Sequence, residues 1–582
     1  MRLPRFLIPC GEVRQRRSAP AALRGRGACC LTAACVAAAL LSAGCGTQPS
    51  AGRGRTLVLS TSSDPKTFNP IVAKETSTTA VTGFLFDGLT RTDAVTLRVT
   101  PALAERWTVS ADGRTWRFVL REGLQWSDGM PVTAEDVVFT FNRLIFNEEI
   151  PTSSRDVFLV DGQPIAVAAE DARTVVFRLP DRFAPFLRLL EQEILPRHIL
   201  EPKVDAGVFS SSWGVNEKPQ AIVGTGPFVL KEYRPAERIV LERNPRYWKR
   251  GSDGQQLPRL ERIVLLVIAD PNMAVLKFRA GELDAVHVRG QDYPILKPHE
   301  KKGNFTIYEI GPSLGCEFLV FNQSAKAKID PWKRRWFSRT EFRQAVSCCL
   351  DRQAMIRNVL AGFGSPQEGP MNASCGYFFN PHTERFSYDL ARARTLLRKA
   401  GFSLDGGAVR DEDGRQVEFT ILTNSNNADR IQIASIIQDD LRKIGMKVNL
   451  LPVEFNTLVK RLDTDNDWEA ILIGLTGGIE PHNGKNVWDS RGQLHMWNLA
   501  PDAVTPWEQE IDRLFAAGAR ELNEVRRKVL YDRWQEIASR ELPLIYTVNS
   551  TVMQAVRNRF SNLRPTVYGG VFHNIEEIDV RE

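Results

Sequence analysis

Val417 to Leu451 reads VEFTILTNSNNADRIQIASIIQDDLRKIGMKVNLL, and the order of its parts decides the fold class. Val417 to Leu422 is an apolar, β-branched run of strand length, and the asparagine-rich residues after it have loop chemistry. Ile433, Ile436, Ile437, Leu441 and Ile444 then recur at helical spacing and fall on one side of a helix. Gly445 stops that helix, and Lys447 to Leu451 resumes a strand. A strand, helix and strand in this order predict an α/β class with parallel pairing and ligand loops at the strand ends.

Working outward, Pro101 to Asn142 is the next legible stretch. Ala111-Asp112-Gly113 turns the chain into a strand that alternates Trp116, Phe118 and Leu120 on one face. Asp128-Gly129 makes another turn. Thr133 with Asp136 resembles a capping box, and the helix it opens carries the stripe Val137, Phe141, Leu144 and Ile145. Further strands are expected at 57–60, 174–179, 228–233, 239–242 and 263–268, with a short helix at 272–281. No internal repeat is present, which argues against a solenoid.

A chain of 582 residues exceeds one compact core, so two or more lobes are expected. The net charge of +7 invites a search for nucleic-acid or anionic-membrane partners, but its location removes that reading. Residues 1–44 hold seven arginines and one acid, Glu12, which leaves the remainder nearly neutral; no nucleic-acid partner is expected. The apolar run Ala28 to Leu41 is too short to span a bilayer comfortably and suits the core of a signal peptide. Leu41-Ser42-Ala43-Gly44-Cys45 resembles a bacterial lipobox, so Cys45 is the expected lipidation site; an ordinary secretory cleavage is the alternative. Residues 45–55 read as a tether. Of nine cysteines only Cys316, Cys348, Cys349 and Cys375 lie in the body, too few for a disulfide scaffold; packing is expected, with one bridge through Cys316 or Cys375 left open.

Taken together, Asp64 to Pro70, FLFDGL from Phe84, DGRTWRFVLREGLQWSDGMPVTAEDV from Asp112, ILPRHIL from Ile194 and GTGPFVLKEY from Gly224 resemble one family in order and spacing. LERNPRYW from Leu241, AGELDAV from Ala280, FRQAVSCCLDR from Phe342, YDLARARTLLRKAGF from Tyr388 and YDRWQEIASRELPLIY from Tyr531 continue the match. The family is that of the family 5 extracytoplasmic solute-binding proteins of bacterial ABC importers, of oligopeptide-, dipeptide- or nickel-binding type. The resemblance implies a two-lobed periplasmic-binding-protein fold, type II and cluster C-like, with an extra subdomain in the first lobe. Lobe one would take 56–305 plus 545–582, with the subdomain at about 101–220, and lobe two 306–544. It implies capture of a small ligand, a peptide first of all, for an ABC permease with its ATPase subunits. The protein would be a monomer in the cell envelope, held to the membrane by lipid at Cys45. A non-peptide solute such as an oligosaccharide, or a sensor or receptor lipoprotein of the same fold, is the alternative, with a secreted hydrolase the remaining one.

Several residues then become candidates for the ligand site. The family's cleft loop corresponds to Leu475 to Trp488, and the aspartate that pairs with a peptide amine in oligopeptide-binding members falls at Gly478. Gly477, Gly478, Glu480, His482 and Asn483 are the expected cleft residues, with Glu480 a substitute acid for an amine. Trp488, Trp497 and Trp332 offer rigid surfaces for stacking. The resemblance adds Phe84, Phe86 and Asp87 on the opposite lobe and Asn322 near the hinge. Gly224-Thr225-Gly226 lacks the Lys and Ser/Thr of a phosphate loop and reads as a structural turn. The histidines show no metal-ligand spacing, and neither a GxSxG elbow nor an outstanding carboxylate pair points to an enzyme, so no cofactor or catalytic residue is expected.

Overall fold

The computed structural model of the protein describes residues 54–73, 76–152, 154–499 and 504–581. The expected export signal and Cys45 lie outside these residues. In chain order the first half contributes Thr56–Thr61 (β1), Ala104–Val109 (β2), Thr115–Leu120 (β3), helix Ala134–Phe139 (α1), Ala166–Ala169 (β4), Thr174–Arg178 (β5), Phe228–Arg234 (β6), Arg238–Arg243 (β7) and Arg262–Val267 (β8). The expected strands from 174 to 268 end within one residue of where the pattern puts them.

Two sheets result. The strand order β1-β8-β7-β6 joins β1 to β8 in parallel and the rest antiparallel, while β2-β3-β5-β4 is wholly antiparallel. Along β3 the alternation holds: Trp116, Phe118 and Leu120 are buried and Arg117 is exposed. Thr133 caps α1 through the expected capping box, with the Asp136 carboxylate accepting the Thr133 N–H at 2.8 Å. Val137, Phe141, Leu144 and Ile145 enter the same core as the β3 stripe.

The second half brings Ala285–His287 (β9), Phe305–Pro312 (β10), Cys316–Phe321 (β11), Glu418–Asn424 (β12), helix Ala428–Arg442 (α2), Lys447–Val453 (β13), Ala470–Leu475 (β14), helices Pro506–Arg520 (α3) and Glu524–Glu541 (α4), Leu544–Tyr546 (β15) and Val548–Arg557 (β16). The β-α-β reading is realised in a sheet of order β13-β12-β14-β11-β15, in which β12 pairs in parallel with both β13 and β14. Asn427 caps α2 by accepting the Arg430 N–H at 2.9 Å, and Gly445 ends the segment at φ +93°. Both faces of this sheet are buried, because alternate residues of β11 point to different cores. Leu319 and Phe321 pack with Ile433, Ile437 and Leu441 of α2, whereas Phe318 and Val320 pack with Trp488, Trp497 and Trp534. Cys348 and Cys349 are both buried in the helix Thr340–Cys349, and Cys316, Cys348, Cys349 and Cys375 are all free thiols.

Two segments cross between the halves. β10 pairs with β16 and leads through Ser313 to Gly315 into β11, while β15 leads through Thr547 into β16. The chain therefore changes sheets at 313–315 and at 547, where changeovers near 305 and 545 were expected. Asn549 ties the crossings together: its amide donates to the Gly315 carbonyl at 2.6 Å and accepts from the Ser313 hydroxyl at 2.9 Å.

Candidate functional site

The loop after β14 is held by its glycines and by one buried ion pair. A Cβ added at Gly477 would lie 1.5 Å from the Leu314 carbonyl oxygen, so this residue has to be glycine for the loop to lie against the crossing segment. At Gly478 the same construction meets nothing nearer than the Asn483 amide at 3.6 Å, so that position has room for a side chain. Glu480 turns inward. Its carboxylate takes both terminal nitrogens of Arg527, at 2.5 and 2.9 Å, and accepts the His482 N–H at 3.0 Å, opening the short turn Pro481–Gly484.

Three cavities follow this loop, each sharing wall with the next. One of about 520 Å³ lies between Gly474 to Gly477, Glu317, Arg430 and Asn549. The next, about 350 Å³, takes Cys316, Leu475, Thr476 and Gly477 from the first and extends to Asn483, Trp488 and Trp534. The third, about 780 Å³, shares Asn483 and Asn486 and sets His482, Lys485 and Asp489 opposite Asp156, Phe183 and Leu189 from the first half of the chain. The two halves also touch directly beside it. The Ala184 N–H donates to the Ala519 carbonyl at 2.7 Å, Arg520 pairs with Asp181 at 2.8 Å and with Asp161, and Phe183 meets the His482 ring edge-on at 5.5 Å.

The charges of Glu480, His482 and Arg430 are paired or suppressed. Burial pushes the Glu480 carboxyl up, but the Arg527 charge and hydrogen bonds outweigh it and hold the group below the ordinary carboxylate value. Burial drives the His482 imidazole down to about 4, so it is neutral near pH 7, with its Nδ1 3.4 Å from the Tyr531 hydroxyl. The Cys316 thiol is pushed up to about 12 by burial, which keeps it un-ionised. Arg430 is bound by Glu317 at 2.9 Å and Asn424 at 2.6 Å. Among the described residues no group of three potential metal ligands converges.

The expected site residues divide sharply. Gly477, Gly478, Glu480, His482, Asn483 and Trp488 all border the cavities. Glu480 does so as half of a closed ion pair, which removes it as a substitute acid for a ligand amine. Phe84, Phe86, Asp87, Asn322 and Trp497 are engaged elsewhere. Phe84 lies edge-on to Phe228 at 6.1 Å, and Phe86 stacks on Trp213 at 5.6 Å. Their loop is locked to Gly224 and Gly226, where an added Cβ would come within 2.0 and 2.5 Å of Leu85 and Phe84 backbone atoms, so the glycine motif is a packing turn. Asp87 accepts from the Trp248 indole at 2.9 Å and joins Arg91 and Glu576 in a buried charge cluster. Asn322 donates to the Trp468 carbonyl at 3.1 Å and accepts the Ser324 N–H at 3.2 Å, both inside the fold. Trp497 gives its indole N–H to Glu508 at 2.9 Å, a carboxylate that His495 also binds. Trp332 is covered by the Arg415 guanidinium at 5.0 Å, away from the cavities.

The sequence reading missed Phe183, Trp534, Tyr546 and Arg527. Tyr531, Trp534 and Ile537 recur at helical spacing, which reads as core. The alternation of Leu544 and Tyr546 in LPLIY was the available signal that both share a sheet face.

A two-lobed α/β molecule with paired crossing strands, and cavities strung along a loop between its halves, is built as a solute-binding protein. Residues 98–493 match the family described as bacterial extracellular solute-binding proteins, family 5 Middle, and the chain belongs to that family. It is 31% identical to a probable ABC transporter-binding protein of Deinococcus radiodurans, over 85% of this chain and 87% of that one. It is 29% identical to the oligopeptide-binding protein AppA of Bacillus subtilis, over 72% of this chain and 74% of AppA. The structure of AppA in complex with a nonapeptide matches with a TM-score of 0.70 at 23% identity, covering 90% of this chain and 99% of that one. CtaP from Listeria monocytogenes, an ABC transporter substrate-binding protein, matches with a TM-score of 0.74 at 23% identity, covering 91% and 100%. No helix among the described residues is long and apolar enough to cross a membrane.

Proposed function

We propose that this protein captures a peptide between its two lobes and delivers it to an ABC permease with ATPase subunits, without chemical change to the ligand. The observation that carries this reading is the run of three cavities along residues 474–493, the last of which has Asp156, Phe183 and Leu189 of the first half in its wall. Closure around a ligand excludes water and strengthens each hydrogen bond in the cleft; the ligand's greater affinity for the closed form drives the motion. The lobes expected at 56–305 with 545–582, and at 306–544, then have their bounds moved to the crossings at 313–315 and 547. Gly478 offers no carboxylate, and Glu480 is consumed by Arg527, so an α-amine would be met by backbone carbonyls or by Asp156 and not by the aspartate of oligopeptide-binding relatives.

A thermal-shift screen of peptides of two to ten residues against oligosaccharides and metals tests the proposal, because a ligand that binds only the folded state raises the melting temperature. Peptides are expected to raise it; a shift with a sugar and none with any peptide refutes the reading. Lipid attachment at Cys45 is part of the same proposal, and a clickable fatty acid should label the wild type but not Cys45→Ala.

A further inference from the structure

Helix α4 begins on a face that the fold leaves uncovered. Val525 and Val529 are 67% and 63% exposed and stand one turn apart, so their side chains are neighbours, and Leu522 just before the helix is exposed as well. A β-branched residue gains nothing for the fold at such a position: its helix propensity is below that of lysine or glutamate, and its apolar surface stays in water. Single exposed apolar residues are ordinary, whereas a contiguous group marks a contact surface.

The face continues onto the first half of the chain at two points. A Cβ added at Gly113, in the turn between β2 and β3, would lie 2.8 Å from Leu522 Cδ1, so Leu522 touches that turn. Lys528, which flanks the valines on α4, holds its ammonium 5.9 Å from the centre of the exposed Tyr377 ring. Next to that ring, a Cβ added at Gly376 would lie 2.7 Å from Leu97 Cδ1. Leu97 belongs to the tip of the hairpin made by Thr90–Thr92 and Val99–Pro101, and Val95 in the same tip is exposed. Charges around the face are paired within the protein: Lys528 with Asp532 at 2.6 Å, Arg526 with Glu521 at 2.7 Å and Arg520 with Asp181 at 2.8 Å. The face therefore offers a partner apolar contact.

We infer that this face, from Val95 through Tyr377 to Val525, Val529 and Leu522, is the docking surface for the extracytoplasmic side of the permease, which meets it with an apolar surface. The face is continuous with the contact between the halves, since Arg114 beside Gly113 shares Asp181 with Arg520. Its bridging contacts, Leu522 with Gly113 and Leu97 with Gly376, join one half to the other, so it is whole only while the lobes are closed. A partner bound across it has greater affinity for the closed form, and a permease needs that difference to tell a loaded binding protein from an empty one. A second copy of the chain, the other candidate occupant, has no use for the distinction.

The inference rests on the delivery reading, and its test separates the two. Val525→Lys with Val529→Lys charges the face, and Val208→Lys with Leu451→Lys adds the same charge at exposed apolar residues elsewhere. Each pair replaces the native gene in the producing bacterium, and uptake of a 14C-labelled tryptic peptide mixture is measured. The face pair should lower the uptake that depends on this protein at least about tenfold and the control pair by less than about twofold. The purified face variant should keep its melting temperature, and its affinity for the same peptides within about twofold. Uptake by the face pair within about twofold of wild type overturns the inference and leaves delivery intact, and so does a loss that the control pair shares or that weaker peptide binding explains. If cells lacking the protein take up peptides as fast as wild type, the peptide delivery reading fails, and photocrosslinking from benzoylphenylalanine in place of Val529 decides the face. A bond to a membrane-embedded subunit of an ABC importer supports it; a bond to a second copy of this chain, or any other result, overturns it.

Discussion

Replacing Glu480 with glutamine should destabilise the protein strongly and should do so through Arg527. The two side chains are only 4% and 6% exposed and meet through two hydrogen bonds of 2.5 and 2.9 Å. Arg527 is further committed, donating to the Gly518 carbonyl at 2.8 Å and lying 5.3 and 5.2 Å from the ring centres of Phe378 and Tyr531. It cannot swing to solvent when its partner is neutralised. Glu480→Gln keeps the shape and strands a buried cation, a change that costs about 3–5 kcal/mol. Removing both charges in Glu480→Gln with Arg527→Met should recover much of that loss, since the stranded charge is gone. The folded-state pKa of Glu480 is lowered, so its stabilisation is present above the ordinary carboxylate value and is lost as pH falls through the folded value. The gap between wild type and Glu480→Gln should be constant from pH 8 to 6 and narrow only under more acid conditions. Urea unfolding followed by tryptophan fluorescence measures each quantity. A loss below about 1 kcal/mol, or a double variant as damaged as the sum of its parts, would refute the argument. Loss of peptide affinity with stability intact would instead restore Glu480 as a ligand-binding acid.

Gly477→Ala should displace the cleft loop, because its new methyl would stand 1.5 Å from the Leu314 carbonyl oxygen, whereas Gly478→Ala meets only the Asn483 amide at 3.6 Å. A lowered melting temperature and at least about tenfold weaker ligand binding are expected for the first alone; equal behaviour of the two variants would contradict the role given to Gly477. Arg520→Ala removes the ion pairs from α3 to Asp161 and Asp181, and with the arginine 45% exposed the stability loss should stay below about 1 kcal/mol. Because those pairs join the two halves, ligand release measured by stopped flow should accelerate severalfold, and an unchanged rate would show that they do not hold the closed form.

How much of this molecule the sequence alone determined depends on how local the cause is. The β-α-β unit at 417–451, the capping box at Thr133 and the β3 alternation are written in neighbouring residues, and periodicity and capping act over one or two turns. The loop at 475–488 was legible for a related reason: its glycines and strand-end position are features of one short segment. Burial and partnership are not local. Phe86, Asp87, Asn322 and Trp497 carry side chains suited to a ligand, and only the fold brings Trp213, Trp248, Trp468 and Glu508 to them and so takes them out of the site. The same holds in reverse for Trp534, whose helical spacing reads as core, and for Tyr546. Strand pairing and the packing of α4 put them around a cavity instead. Sequence therefore decided the class of fold and the loop that serves it, because those follow from short-range pattern. Tertiary structure decided which side chains remain free to bind, because that depends on what each has already met.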